Sequence, residues 1–121
     1  MQDYKIIEIK SFKDKRGILT PFELNNNCPF DIKRIFYISN VPNQASRGEH
    51  INSESKFLII AIQGQVTIDI LQDGKTETFV LDSPNKALFL NNSIYKRLYN
   101  FSNDAILLCL SDNYYNKNDY V

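Results

Sequence analysis

"FLIIAIQGQVTIDILQDGKTETFVLD", residues 57–82, carries three signals that together specify antiparallel sheet. Val66, Ile68 and Ile70 alternate with Thr67 and Asp69, the period of two that belongs to a strand with one buried face. Gln72–Lys75 then sets Asp-Gly between two such runs, the strongest short signal for a two-residue hairpin. Upstream, Phe57–Ile62 is apolar without interruption. That predicts a strand covered on both faces, either by a second sheet or by a partner subunit.

Working outward, runs rich in Ile, Leu, Val, Phe and Tyr recur at residues 4–12, 17–24, 33–41, 87–92, 96–101 and 105–112. Asn, Asp, Ser and Pro clusters such as LNNNCP and SPNK separate them. Helical periodicity is scarce. About nine short strands at this spacing predict an all-β fold, an antiparallel jelly-roll barrel forming one domain over residues 1–121. The closing DNYYNKNDYV turns polar and aromatic, so it is expected to cap one end of the barrel or to pack on a second subunit. A barrel this small leaves strand edges to hide, which predicts a homodimer.

Composition excludes several classes of function. Fourteen basic and fourteen acidic residues balance to zero, so no global field recruits nucleic acid or a membrane surface. No apolar run approaches the roughly 20 residues of a membrane helix. The N-terminal MQDYKIIEIK is charged from its third residue and does not read as a signal peptide. Cys28 and Cys109 show no framework spacing, which points to reduced thiols in a cytoplasmic protein.

The only histidine of the 121 residues is His50, in RGEHINSESKF. A histidine before a central strand of a jelly roll resembles the cupins, whose metal sites use two histidines one residue apart, a glutamate and a third histidine. Here Asn52 stands at the second position and Glu54 is the one nearby carboxylate, too few donors for a transition metal. No metal or other cofactor is expected. Nucleophile elbows, phosphate loops and dinucleotide fingerprints are absent. General acid–base chemistry remains, because an imidazole titrates near neutrality and can both take and return a proton. Arg16, Arg34, Arg47 and Arg97 each lie at the edge of a predicted strand, where guanidinium forks could hold phosphates. Against this, strand-end arginines are mostly solvated, and a lone histidine is most often an ordinary surface residue.

Five segments, in order, carry a family resemblance: DKRGILTPFE, PFDIKRIFYI, SRGEHINSESKFLIIAIQGQVTI, LDSPNKALFL and LSDNYYNKNDYV. Together they resemble the sugar-nucleotide 3,4-ketoisomerases, the WxcM-like group of cupin-fold proteins. Phe30, Lys33, Arg34 and Tyr37 match one stretch of the family pattern, Arg47, Gly48 and His50 a second, and Asp112, Tyr114, Tyr115, Asp119 and Tyr120 a third. The resemblance implies a metal-free isomerisation of a dTDP-4-keto-6-deoxyhexose. A base takes the proton at C3, an enediol forms, and a proton returns at C4. The 3-keto product would go on to 3-amino-3,6-dideoxy sugars of surface glycans such as lipopolysaccharide.

His50 inherits the role of base. The family's second histidine corresponds to Asn52, its lysine to Ser53, a usual glutamine to Lys56, and a common Trp-His pair to Tyr95 and Lys96. Asn52 can orient a substrate or stabilise an enediolate but cannot transfer protons near neutrality. Tyr37 or Lys56 are candidates for the missing acid. Arg16, Arg34, Arg47 and Arg97 are candidates for the diphosphate or sugar, and Tyr37 and Tyr95 for the base or hexose. Three readings stay open: a one-histidine isomerase, a member with altered substrate or stereochemistry, and a silent module that binds a nucleotide sugar or a partner enzyme.

Overall fold

The computed structural model describes residues 3–121. Eleven strands run through it: β1 (Tyr4–Glu8), β2 (Phe12–Asp14), β3 (Gly17–Leu19), β4 (Arg34–Ser39), β5 (Arg47–Ile51), β6 (Phe57–Gln63), β7 (Val66–Gln72), β8 (Lys75–Leu81), β9 (Lys86–Leu90), β10 (Tyr95–Tyr99) and β11 (Ile106–Ser111). One sheet has the order β1-β9-β6-β11-β4 and the other β5-β10-β7-β8, with every strand pair antiparallel. The two inner faces close on each other as a jelly roll.

The alternation read from residues 66–70 sets what is inside. Val66, Ile68 and Ile70 are buried and pack on Ile59, Leu88, Leu90 and Leu107 of the facing sheet. The Asp-Gly signal is a two-residue turn in which Gln72 pairs with Lys75. Asp73 and Gly74 both take left-handed backbone, at φ 53° and 74°, the geometry that matches the twist of the flanking strands.

The uninterrupted apolar run of β6 is covered on both faces, as its composition predicts. Phe57, Ile59 and Ala61 face the barrel interior, and Leu58 and Ile60 face a second cluster with Ile9, Cys28, Phe30, Ala87, Phe89 and Leu110. What covers that second face is neither a sheet nor a partner. It is the chain's own segment 20–33, laid across the outside of the five-stranded sheet with Phe22 and Ile32 packed beside the cluster.

Two elements differ from the sequence expectation. The run at residues 4–12 ends early, and β2 and β3 form a separate two-stranded hairpin with Phe12, Ile18 and Leu19 more than half exposed. His50 lies not before a strand but on one, since Arg47–Ile51 is a strand of its own, paired with β10. The polar residues of β5 hide it from a search for apolar alternation.

Phe30 is 6% exposed, with its ring centroid 6.3 Å from that of Phe89. Phe30→Ala is expected to destabilise the fold by about 3–5 kcal/mol, the range for truncating a buried aromatic. Urea unfolding checks it, and a change below 1 kcal/mol would mean the segment is only draped on the sheet.

Candidate active site

The β5–β10 pairing is not regular. Lys96 pairs with His50, and Arg97 pairs with Gly48, so Glu49 is an extra residue, a β-bulge. Gly48 and Glu49 take positive φ of 80° and 59°. A Cβ on Gly48 would approach the Lys96 carbonyl oxygen and the Leu98 side chain to 3.0 Å, so the Arg-Gly-x-His spacing is a backbone requirement. The bulge turns His50 into the barrel. Residues directly opposite in an antiparallel pair share a face, so Lys96 enters the barrel beside it.

Both line a cavity of about 160 Å³ with Phe36, Ile38, Arg47, Phe57, Cys109 and Tyr120. Clefts of about 580 and 380 Å³ lie elsewhere on the surface, at Tyr4 and Glu77 and along the β2–β3 hairpin, and neither has a histidine.

His50 Nδ1 lies 2.8 Å from the Gly48 carbonyl oxygen. A carbonyl only accepts, so Nδ1 carries the hydrogen and Nε2 is left with a free lone pair. The Tyr120 ring packs 4.6 Å from the imidazole. Burial, and after it the charge of Lys96, push the imidazole below its ordinary titration range, against weaker opposing effects from Gly48, Asn52 and Asp119. At neutral pH His50 is an uncharged base.

Behind it runs a buried polar chain. Lys96 Nζ donates to Asn52 Oδ1 at 2.5 Å, and Asn52 Nδ2 donates to Asp119 Oδ2 at 2.8 Å. The Asp119 carboxylate also accepts from Ser55 Oγ at 2.6 Å and from the backbone N–H groups of Glu54 and Ser55 at 2.6 and 3.1 Å. Burial works against the charged carboxylate, but the donors from Ser55, Asn52 and Glu54 outweigh it and hold Asp119 below the usual carboxylate range. Lys96 has no carboxylate in direct contact. Its Nζ sits 4.7 Å over the centre of the Phe57 ring, and burial lowers its amine from 10.5 to about 8. Cys109 beside it is pushed up to about 12 by burial, a protonated thiol rather than a nucleophile.

The structure groups the residues singled out in the sequence differently. His50 and Arg47 line the cavity. The Arg34 guanidinium stacks near Phe36, Phe57 and Tyr115, with Cζ 5.0, 5.9 and 5.8 Å from the ring centres, and its buried Nε has no hydrogen-bond partner among the described residues. Asn52 is sealed between Lys96 and Asp119 at 2% exposure; it is not on the cavity wall, and its side chain also bears on the His50 imidazole. Tyr37 is 69% exposed on the outer face of β4, the side opposite Phe36. Tyr95 and Arg97 alternate with buried Lys96 and Leu98, so they too face outward, and Arg97 lies over Tyr99 and 3.6 Å from Glu49. Lys56 is half-buried in the loop after Asn52, its backbone N–H bound to Asp112, and it is not part of the cavity wall. Arg16 is on the β2–β3 hairpin, paired with Asp14 at 2.7 Å and away from His50. Tyr120 and Lys96 also line the cavity, and the sequence matches both to family positions without giving either a role.

Among the described residues no three His, Cys, Asp or Glu side chains are placed to share a metal ion. No helix is long and apolar enough to cross a membrane.

A two-sheet jelly roll whose open end holds an inward imidazole is a cupin-type barrel. The family model described as FdtA, WxcM-like, C-terminal, matches residues 2–121, and the chain belongs to that family. It is 32% identical over 118 residues to the TDP-4-oxo-6-deoxy-α-D-glucose-3,4-oxoisomerase of Aneurinibacillus thermoaerophilus, covering 97% of this chain and 84% of the relative. WlaRA, the TDP-fucose-3,4-ketoisomerase of Campylobacter jejuni, superposes with a TM-score of 0.95 at 38% identity, over 99% of this chain and 89% of its own. A histidine-to-asparagine variant of the 3,4-ketoisomerase QdtA from Thermoanaerobacterium thermosaccharolyticum, in complex with TDP-4-keto-6-deoxyglucose, also gives a TM-score of 0.95. Its identity is 29%, over 100% of this chain and 88% of that one.

The buried ammonium makes a prediction about stability. Folded Lys96 loses its proton near pH 8, and unfolded lysine does so near 10.5. Between those values the unfolded chain binds more protons, so this group's contribution to stability rises with pH. Wild type is expected to gain about 2–3 kcal/mol relative to Lys96→Met between roughly pH 7 and pH 10. The acceptor that the substitution leaves unmet on Asn52 is independent of pH and drops out of the comparison. Urea unfolding of both proteins across the range measures it, and a constant difference would mean the amine is not desolvated.

Proposed function

We propose that this protein is a sugar-nucleotide 3,4-ketoisomerase that moves the carbonyl of a TDP-4-keto-6-deoxyhexose from C4 to C3 without a metal. The observation that carries this reading is the state of His50, a neutral imidazole on the cavity wall whose Nδ1 hydrogen is held by the Gly48 carbonyl, so that Nε2 carries the lone pair of a base. Such a group can take the C3 proton of a ketose and return it at C4. The cavity has room for one monosaccharide ring, so the nucleoside diphosphate lies outside it. Arg47 on the wall and Arg34 at its side are the cations placed to meet the diphosphate. The silent-binder reading has no use for a base so positioned.

The 3-keto product is suited to amination, which supports a place in amino-deoxysugar biosynthesis for surface glycans. Both thiols are free and buried, which supports a cytoplasmic setting. We also propose a homodimer. Phe12, Ile18 and Leu19 on the β2–β3 hairpin, and Ile35 and Tyr37 on the edge strand β4, present apolar surface that a second copy would cover. Arg16 travels with that hairpin, so any contact it makes with substrate is expected at a subunit boundary.

Two experiments test these readings. Incubation with TDP-4-keto-6-deoxyglucose in deuterated water should yield a 3-keto sugar, with solvent deuterium at C4 in the fraction of turnovers in which the imidazolium exchanges before it returns its proton. His50→Asn should lower turnover by about 10²–10⁴-fold, the usual worth of a positioned base, with TDP affinity little changed. Turnover surviving in that variant would remove His50 as the base. For the assembly, Ile18→Asp should shift sedimentation from dimer to monomer. A monomeric wild type would overturn the dimer.

A further inference from the structure

Moving a carbonyl from C4 to C3 requires two proton transfers of different kinds, and a single imidazole accounts for one. A proton leaves C3 and one arrives at C4. A second proton must reach O4 as the C4 carbonyl becomes an enol, and another must leave O3 as the C3 carbonyl forms. This inference rests on the isomerase reading and asks which side chain serves the oxygens.

Besides His50 the cavity wall carries the protic side chains of Lys96, Arg47, Tyr120 and Cys109. Arg47 does not release its proton, burial holds Cys109 protonated, and Tyr120 packs its ring on the imidazole, which leaves Lys96. Lys96 is the cross-strand partner of His50 and shares its face of the sheet. Lys96 is 7% exposed, yet among the described residues no carboxylate touches its ammonium, because Asn52 stands between it and Asp119. A lysine kept only for stability would be expected to reach a carboxylate or solvent. The amide is locked, since Asp119 takes its NH2 end and so turns its carbonyl toward the lysine. An ammonium has three hydrogens. One goes to Asn52 and one side faces the Phe57 ring, which leaves donor capacity toward the cavity.

We propose that Lys96 is a catalytic residue, carrying the oxygen proton while His50 carries the carbon proton. In the first half, His50 Nε2 takes the proton from C3 and the Lys96 ammonium gives one to O4. The C3–H electron pair becomes the C3–C4 double bond, and the C4 carbonyl pair becomes the O4–H bond. In the second half, the neutral Lys96 amine takes the proton from the O3 hydroxyl, C3=O forms, and the enediol double bond takes the proton from imidazolium at C4. Both side chains end as they began, and no co-reactant is consumed. Asn52 and Asp119 are positioning residues for the amine. The titratable and charged groups facing Lys96 are His50 and Arg47 on β5, Arg34 on β4, Cys109 on β11, Tyr120 in the tail and Asp119 beyond Asn52. Burial and, more weakly, the Arg34 charge lower the amine, Cys109 and Asp119 work against them, and the balance leaves it at about 8, able to go both ways near neutral pH.

The test compares Lys96→Met, Lys96→Arg and Lys96→His with wild type on TDP-4-keto-6-deoxyglucose. Lys96→Met should lose about 10²–10⁴-fold in kcat, with KM and TDP affinity within about threefold. The wild-type rate should fall above about pH 8, following Lys96, and that limb should vanish in Lys96→Met. Lys96→Arg keeps the charge but cannot release a proton, so it should stay as slow as Lys96→Met. Lys96→His should recover at least tenfold, with its alkaline limb moved toward the histidine range. The proposal is overturned if Lys96→Met turns over within threefold of wild type, or if Lys96→Arg restores full activity, which would make the role one of charge alone. Failure of the parent reading looks different: wild type itself would then form no product and exchange no proton at C3, and the assignment of Lys96 would fall with it.

Discussion

The Asp119 carboxylate is the tie on which the site depends. It is one of five buried polar side chains among the described residues, and it gathers four donors from residues 52–55, sixty-odd positions earlier in the chain. Hydrogen bonds to an ionised acceptor are worth about 1.5–3 kcal/mol each, so this one group can hold a polar loop in a fixed path without regular structure. The loop in turn presents Asn52 to Lys96, and the single 3-10 turn at Lys117–Asp119 brings Tyr120 over the imidazole. Backbone bonds from Ser53 N–H to the Asp119 carbonyl and from Val121 N–H to the Ile51 carbonyl complete the closure. The polar aromatic tail is therefore a cap on the barrel, and it closes one wall of the cavity through Tyr120.

Much of the fold was legible because it rests on patterns with a short period. The alternation at 66–70, the Asp-Gly turn and the doubly apolar β6 are local features whose consequence is the same in any context. Of the residues singled out for the site, His50 and Arg47 line the cavity and Arg34 stands beside it. A bulge hid β5, since the extra residue at Glu49 breaks the period that reveals strands. Lys96, Tyr95 and Arg97 are neighbours in sequence, and which of them enters the barrel depends on register against β5 and β7, which no single strand records. Tyr37 points outward for the same reason, because Arg34 and Phe36 take the inner face of β4. Asn52 looked like a degraded catalytic position. Its place in the polar chain makes it an adaptor between a carboxylate and an amine, a job for which an amide with a donor at one end and an acceptor at the other is suited.

Site and stability pull in opposite directions in this barrel. Keeping Lys96 charged among Phe57, Leu98 and Cys109 costs free energy that a methionine would not. The ring beneath it returns part of that cost, on the order of 1 kcal/mol for a cation over an aromatic face. The remainder is carried by the two apolar clusters on either side of β6, which are large for a chain of this length.

The bulge at Gly48 and Glu49 has a consequence for how such sequences diverge. Side chains on a strand alternate between faces, and the extra residue is what lets Arg47 and His50, three positions apart, both line the cavity. Exchanging Glu49 for another residue that tolerates left-handed backbone leaves His50 where it is. Deleting it would leave Gly48 opposite Arg97 and His50 opposite Lys96 in regular pairing, so the imidazole would stay on the inner face and lose only the left-handed step that now aims it. A chain one residue shorter there would keep its base inside the barrel and would have to aim it by another route.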